Sequence, residues 1–303
     1  MQTNRPWITA LITAYARAYH ATHDDPKIFD DFAADRLYST EEHAQFDHNL
    51  AQMLPAIDPD LAAMNPDEAT ALAAVIQLMH GPVTLSRSRY AEDCLQAAVE
   101  QGVEQYVILG AGFDTFAFRR PDLLAKLEVF EVDHPVTQGM KRERIVGWVL
   151  PSKLHFVAVD FNQESLTDAL QKSAYDPHKL SFFSWLGVTY YLPREVVLAT
   201  LEAIGKMAAR GSTVVFDTMD DEAFLPEKAA RRVQLMQASA RMVGEPMQTG
   251  FDPANLREEL AQIGLKVVET LTPGEIEARY FQGRNDRYHA FEHVHFVRAE
   301  TGA

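Results

Sequence analysis

The chain has 303 residues, of which 47% are hydrophobic and 23% charged, and this composition excludes a disordered or fibrous protein. Its formal net charge of -15 at pH 7 would repel a nucleic-acid backbone, so we expect no nucleic-acid partner. We interpret the short basic run 141–144 as a solvated helix face. A single cysteine, Cys94, excludes an internal disulfide. With no apolar run of the roughly 20 residues that a membrane span needs, we expect a cytoplasmic protein without a membrane partner.

The first third of the chain has the pattern of helices. Apolar residues recur at helical spacing, as in ITALITAYARAYH and DEATALAAVIQLMH, without the alternation of a strand. Asp25-Pro26, Asp58-Pro59 and Asn65-Pro66 are predicted to separate helices, because the residue before a proline avoids helical dihedral angles. Residues 1–100 are therefore predicted to form a helical cap.

Short apolar runs dominate the chain after Gly102. Five of them alternate with helix-length segments: QYVILG, EVFEVD, LHFVAVD, LSFFSWLGV and STVVFDTM. This alternation predicts a parallel sheet with crossover helices. Two later runs, GLKVVETL and HVHFVRAE, are separated by a polar segment without a helix pattern and predict a closing antiparallel pair. The predicted fold is α/β and Rossmann-like, with a mostly parallel seven-stranded sheet and an antiparallel last strand.

We expect a single domain over residues 1–303. Its parts are the helical cap (1–100), a cofactor-binding core (101–219), a candidate lid (220–253) and the closing strands (254–303). The lid prediction rests on a stretch rich in methionine and alanine that is longer than a crossover requires, and an immobile structural insertion is the alternative. The pattern does not indicate an oligomeric state.

The stretch VILGAGFDT ends the first strand run in a glycine-rich loop. Gly110 and Gly112 permit positive φ and close backbone approach, and such a loop presents N–H groups at the ligand-binding edge of an open sheet. A dinucleotide site would have a third glycine in place of Thr115, and Asp114 would repel a pyrophosphate. The loop therefore favours S-adenosyl-L-methionine, which carries a sulfonium, over NAD. A turn that binds no ligand is the alternative.

Carboxylates end the next two strand runs. Glu131-Val132-Asp133 lies about 20 residues beyond the loop, where an acid accepts hydrogen bonds from ribose hydroxyls. Asp160 follows the third run, in a position to accept from the exocyclic amine of adenine. Each acid alone is also explained as a helix cap or a turn residue. Their succession at neighbouring strand ends favours an adenosine site.

The segments QYVILGAGFDTFAFRRP and VFEVDHP resemble the leucine carboxyl methyltransferase family, and more closely its bacterial branch of S-adenosyl-L-methionine-dependent O-methyltransferases. The similarity runs from TAYARAYHATHDDPKIFDDFAADRL through SRSRYAEDCL to the last strand. It implies a class I methyltransferase fold. It also implies transfer of a methyl group to a small-molecule carboxylate or hydroxyl.

The resemblance further implies how the cofactor is held. Arg87 would bind the methionine carboxylate through its guanidinium fork, with Arg89 as a second contact and Arg17 as a basic contact from the cap. The remaining contacts would follow the cofactor from its methionine portion through the ribose to the adenine: Gly110, Ala111, Gly112, Asp133, Asp160 and Phe161.

The fourth run departs from the family pattern. The family often has a glutamate before the fourth-strand glycine, where this chain reads Trp185-Leu186-Gly187. The resemblance therefore implies a more apolar pocket that lacks this carboxylate. Trp185 either attracts the sulfonium through its aromatic face or is an ordinary core residue.

No catalytic base is assigned from the sequence. A carboxylate acceptor needs none, whereas a hydroxyl acceptor benefits from one, and the weak candidates are His80, Tyr190 and Tyr191. His293 and His295 share a strand face but lack a third ligand, so we predict no metal site. Two rival functions are an NAD-type oxidoreductase on the same sheet and a non-catalytic protein that binds an adenosine ligand.

Overall fold

The computed structural model describes residues 8–160 and 164–302. The first third of the described chain is helical, as the sequence predicts, with a π-helical turn at Ile76–His80 between the last two helices. Its helices are α1 (Ile8–His23), α2 (Thr40–Ala51), α3 (Leu54–Ile57), α4 (Pro59–Ala63), α5 (Glu68–Val75) and α6 (Gly81–Glu100). The three predicted breaks lie at helix boundaries and are confirmed; Asp58 caps α4 through the N–H of Leu61, and Asp67 caps α5 through the N–H of Thr70.

The helical run Glu68–Glu100 is the most apolar part of this layer. By length and composition alone its 33 residues would suffice to cross a membrane, contrary to the sequence expectation. In the fold, 67% of its most apolar window is buried. Leu85, Tyr90 and Leu95 are fully enclosed in the core. The burial of α6 between the cap and the sheet accounts for its apolar composition.

Seven strands form one sheet in the order β3-β2-β1-β4-β5-β7-β6. Strands β1 to β5 run parallel, and β7 is antiparallel to both of its neighbours, β5 and β6. The strands are β1 (Gln105–Leu109), β2 (Glu128–Asp133), β3 (Leu154–Ala158), β4 (Ser181–Trp185), β5 (Thr213–Met219), β6 (Leu265–Leu271) and β7 (Val294–Thr301). All seven predicted runs are strands, and the predicted fold class is confirmed.

The crossover helices are short. They are α7 (Phe116–Arg119), α8 (Pro121–Leu124), α9 (Pro135–Arg144), α10 (Leu166–Gln171), α11 (Arg194–Met207), α12 (Arg231–Met242), α13 (Leu256–Gln262) and α14 (Pro273–Ile276). The prediction of no helix between the last two strands is wrong, because α14 continues into a π-helical turn, Glu277–Phe281. Thr272 and Glu275 form a capping box around Pro273, which starts a helix without an apolar repeat.

The parallel strands are covered on both faces. Val107 and Phe130 lie on the face that packs against α10, α11 and α13. Ile108 and Val129 lie on the opposite face, against α6. Since both faces are closed, a ligand reaches the sheet only at its edges, and in open parallel sheets ligands bind at the carboxyl ends of the strands.

Candidate cofactor and acceptor site

The glycine-rich loop follows β1 at the carboxyl edge of the sheet. Gly110 and Gly112 have φ angles of 66° and 51°, a region that side chains disfavour. A Cβ atom on Gly110 would lie 2.5 Å from Cγ2 of Val188 in the loop after β4. The N–H groups of Gly110 and Ala111 both donate to the carbonyl of Val132, at 2.9 and 3.2 Å. The glycines thus let the loop sit tightly between β2 and β4.

Asp133, the last residue of β2, closes the loop from the other side. Its carboxylate accepts from the N–H of Gly112 and from the N–H of His134, the latter at 2.6 Å. Burial raises the pKa of Asp133, and the two backbone donors oppose that rise. Val159, at the end of β3, donates its N–H to the carbonyl of Asp133 at 2.8 Å. The predicted ribose acid therefore lies beside the glycine loop.

A buried ion pair lies under Asp133. Lys141 of α9 and Glu131 of β2 are each 1% exposed, and Nζ of Lys141 donates to Oε2 of Glu131. Burial raises the pKa of Glu131 to about 7, and Lys141 opposes the rise. The interpretation of 141–144 as a solvated face is wrong for Lys141, because α9 turns this residue inward onto the sheet. The composition of the basic run does not indicate that Lys141 forms a contact in the core.

Arg87 reaches the same edge from α6. Its Nη1 donates to the hydroxyl of Tyr190 at 2.9 Å and to Oδ2 of Asp217 at 3.1 Å. Burial alone would lower the pKa of Arg87, but Tyr190 and Asp217 raise it above its ordinary value. Asp217, fully buried on β5, also accepts from the N–H of Gly187 at 2.6 Å. The guanidinium is therefore held as a cation.

One short loop joins Arg87 to the glycine loop. A Cβ atom on Gly187 would stand 2.6 Å from Cζ of Arg87, so a side chain there would displace the guanidinium. The next residue, Val188, is the one that lies against Gly110. The structure therefore brings together Arg87 and the glycines, which the resemblance assigns to the same methionine portion. Asp217 had no role in the sequence interpretation, because its carboxylate is hidden inside the apolar run of β5.

The other two predicted arginines, Arg89 and Arg17, lie in different surroundings. Arg89 is about 200° around the helix from Arg87. Its side chain is 49% exposed and pairs with Asp93 at 2.9 Å, so the structure does not bring it together with Arg87. Arg17 of α1 donates from Nη2 to the carbonyl of Phe113 in the glycine loop at 2.8 Å, and from Nε to Asp31 at 2.8 Å. Arg17 thus contacts the glycine loop, which is expected to bind the cofactor.

Asp31 ties the cap to the loop. It is 1% exposed and accepts from Oγ1 of Thr115 at 2.5 Å, and Nε of Arg119 lies 3.1 Å from it. Burial alone would raise its pKa, but Arg17 and Arg119 hold the pKa of Asp31 below the usual value. The glycine loop is therefore fastened at Phe113 and Thr115 by charged side chains of the core. Sequence reasoning assigned no role to Asp31.

The candidate catalytic residues lie near Arg87. Burial raises the pKa of Tyr190 and of Tyr191, which favours the neutral form of both phenols. His80 ends the π-helical turn and lies about two turns before Arg87, on the same side of the helix. Within the described residues, its buried Nε2 has no hydrogen-bond partner, and burial lowers its pKa to about 4. The imidazole is therefore neutral and free to accept a hydrogen bond.

The segment 243–249, which follows α12 inside the candidate lid, runs along the tyrosines. The N–H of Gln248 donates to the carbonyl of Tyr190 at 2.8 Å, and its side chain donates to the carbonyl of Tyr191 at 2.6 Å. Glu245, 8% exposed, accepts from the N–H of Ile8 at 2.7 Å and from Oγ1 of Thr9. The candidate lid therefore meets the first turn of α1. Sequence reasoning missed Glu245, because no local pattern marks it.

The remaining predicted residues complete the edge. Asp160 lies two residues beyond β3 and is partly buried, whereas Phe161 lies outside the described residues. Trp185 is 1% exposed and packs in the core with Val107 and Leu109, so it is a core residue and does not face a ligand.

The histidines at the start of β7, His293 and His295, both contact Asp220. His293 Nδ1 and His295 Nε2 lie 2.8 and 3.3 Å from the two carboxylate oxygens of Asp220. This contact fixes the start of β7 to the turn that follows β5. In residues 8–160 and 164–302, no group of three or more His, Cys, Asp or Glu side chains is arranged to hold a metal ion.

Comparison with known proteins gives a consistent picture. The model of the leucine carboxyl methyltransferase family matches residues 10–205, more than half of the chain. The chain is 37% identical over 302 residues to the “Putative S-adenosyl-L-methionine-dependent methyltransferase YktD” of Bacillus subtilis (strain 168), covering 99% of each protein. A protein of the same descriptive name from Mycobacterium avium (strain 104) is 28% identical over 283 residues, covering 90% of this chain and 87% of that protein.

Among solved structures, a DUF574 family protein from Streptomyces avermitilis has a TM-score of 0.58 at 14% identity, covering 97% of each chain. At this identity the likeness concerns the fold alone. It agrees with the strand order described above.

Proposed function

This chain belongs to the leucine carboxyl methyltransferase family and is an S-adenosyl-L-methionine-dependent methyltransferase, and we propose that it methylates an oxygen of a small molecule, either a carboxylate or a hydroxyl. The observation that carries the proposal is the meeting of Arg87, the glycine loop and Asp133 at one edge of the sheet. The guanidinium suits the carboxylate of the cofactor, and the glycine backbone allows its methionine portion to approach closely. The carboxylate of Asp133 suits the hydroxyls of its ribose.

The residues present fit S-adenosyl-L-methionine. Both described hydrogen bonds of Arg87 leave from Nη1, so that Nε and Nη2 remain for the methionine carboxylate. Gly110, Ala111 and Gly112 would line the methionine portion, and Asp133 would accept from the ribose. We assign the adenine to Asp160 and Phe161.

The charge of the edge supports the same ligand. Asp114 and Asp133 both act electrostatically on Glu131, and Lys141 is a cation that opposes them. A pyrophosphate would be repelled by this surplus of carboxylates, whereas a sulfonium would be attracted. Together with the family, this surplus speaks against the rival NAD-type oxidoreductase.

The cofactor supplies a methyl group on a positively charged sulfur, which is transferred by in-line displacement. The contribution of the protein is to align the acceptor oxygen and to exclude water. We propose that the helical cap and the segment 220–253 do both. Ala10 of α1 lies 3.4 Å from the position of a Cβ atom on Gly112, and Glu245 fastens the same helix from the other side. Water is thereby kept from the edge of the sheet.

We also propose a cytoplasmic location without a nucleic-acid or membrane partner, on the basis of the net charge of -15. The function is tested by incubating the protein with S-adenosyl-L-methionine and a bacterial extract, after which the small molecules and the macromolecules are separated and each fraction is analysed by mass spectrometry. We expect a metabolite that gains one methyl group. If calorimetry shows cofactor binding but methyl groups reach only macromolecules, the proposal of a small-molecule acceptor is wrong.

A further inference from the structure

Glu245 is a buried carboxylate that forms no ion pair within the described part of the chain. It is 8% exposed, and no lysine, arginine or histidine in residues 8–160 and 164–302 forms an ion pair with it. Its oxygens accept from the backbone N–H groups of Ile8 and Thr9 and from Oγ1 of Thr9, and the two carboxylate oxygens together can accept about four hydrogen bonds. Burial raises the pKa of Glu245. Because desolvating an unpaired carboxylate is costly, such groups are concentrated at functional sites.

The position of Glu245 relates it to the proposed methyl-transfer site. Thr9, which donates to Glu245, also hydrogen-bonds to Tyr191 beside Tyr190, the residue that holds Arg87. The following residue, Ala10, lies against Gly112 of the glycine loop. Glu245 is thus separated from the loop by a single turn of α1, on the side covered by the candidate lid.

The charges at this edge discriminate between the two acceptor classes. Arg17 pairs with Asp31, and Arg87 pairs with Asp217 through Nη1 while its other nitrogens are assigned to the methionine carboxylate of the cofactor. A carboxylate acceptor at Glu245 would therefore meet no cation from the described residues to offset the repulsion between two negative groups. A hydroxyl acceptor would instead donate a hydrogen bond to Glu245.

We infer that the acceptor carries a neutral hydroxyl group, as in a phenol or an alcohol, and that Glu245 is its general base. This inference rests on the proposed O-methyltransferase function. The acceptor oxygen forms a bond to the methyl carbon while the carbon–sulfur bond breaks. The O–H proton passes to the carboxylate of Glu245, and the sulfur departs as a neutral thioether. Tyr191 is the ionisable side chain that faces Glu245, and it stays neutral because burial raises its pKa.

The first test asks which bond is made. The whole protein is incubated with methyl-labelled S-adenosyl-L-methionine and the small-molecule fraction of a bacterial extract, and the labelled products are treated with mild alkali. A methyl ether keeps its label, and fragmentation places the methyl group on oxygen. A methyl ester releases volatile labelled methanol, which would overturn the inference while leaving the proposed function intact. A label on nitrogen, or no labelled small molecule despite cofactor binding, would overturn both.

The second test asks whether Glu245 acts as a base. Glu245→Gln keeps the size and an oxygen acceptor for Ile8 but cannot take a proton, so we expect kcat to fall by about 100-fold or more, with cofactor affinity retained. If the acceptor is a phenol, the rate of this variant should recover as alkaline pH ionises the phenol. The matched control is Glu227→Gln, an exposed glutamate in the same segment, which should react like the wild type. An unchanged kcat, or a loss confined to cofactor affinity, would show that Glu245 only fastens α1 and would refute its role as base.

Discussion

Replacing Asp31 by asparagine removes the charge that fastens the glycine loop to the helical cap. Asp31 is 1% exposed, and Nε of Arg17 and Nε of Arg119 lie 2.8 and 3.1 Å from its oxygens. Removing one partner of a buried ion pair costs about 3 to 5 kcal/mol. Asparagine keeps an oxygen acceptor for Thr115, and Arg119 keeps its pair with Glu92, so we expect the lower end of that range, about 3 kcal/mol.

The loss should depend on pH in a defined direction. Arg17 and Arg119 hold the pKa of Asp31 below its unfolded value, which for an aspartate is about 3.9. A carboxylate of this kind contributes stability that is complete above the unfolded pKa and is lost as the pH falls through the folded pKa. Asparagine does not titrate. The difference in the free energy of unfolding between the wild type and Asp31→Asn should therefore be largest at neutral pH and should decrease below about pH 4.

Urea unfolding followed by tryptophan fluorescence measures both effects. The control is Asp30→Asn, because the neighbouring Asp30 is 51% exposed and its pair with Lys27 should contribute no more than about 1 kcal/mol. Equal midpoints for the two variants at pH 7 would refute the view that Asp31 is a buried structural anion. If the difference in the free energy of unfolding between the wild type and Asp31→Asn stays the same at acid pH, the pKa of Asp31 is not lowered as assigned.

Two further variants test the cofactor edge. Arg87→Ala and Asp133→Ala should each weaken S-adenosyl-L-methionine binding by about 1 to 3 kcal/mol in calorimetry, the cost of a lost charge-assisted hydrogen bond, whereas the exposed Arg89→Ala should not. Lys141→Met should lower the free energy of unfolding by about 3 kcal/mol or more, because it leaves Glu131 buried and unpaired. Adding Glu131→Gln should restore part of that loss. A double variant no more stable than Lys141→Met alone would contradict the pairing.

The sheet could be predicted from the sequence because each buried parallel strand has a local apolar pattern. Each of the five parallel strands lies in a short, mostly apolar run, and the turn after β1 requires glycine at Gly110 on steric grounds. Since parallel strands end at a common edge, the order of the runs along the chain was enough to place Asp133 near the loop. The helix α14 was missed because its start depends on a cap and not on an apolar repeat.

The polar contacts of the site could not be predicted in this way. Glu245 and Ile8 are 237 positions apart, and their contact depends on how the cap closes over the sheet. Lys141 lies in a basic run that looks solvated, and only the rotation of α9 turns it inward. Arg87 was identified from the resemblance, while its partner Asp217 lies unmarked within β5. Long-range pairing of this kind is set by tertiary packing.

The antiparallel course of β7 has a practical consequence for handling the protein. Glu300 pairs with Thr213 at the beginning of β5, so the chain leaves the sheet at the edge opposite the glycine loop. The backbone of Ile8, by contrast, touches Glu245. An affinity tag fused after β7 would project away from the candidate site, while one placed ahead of α1 would be attached to the helix that contacts this site.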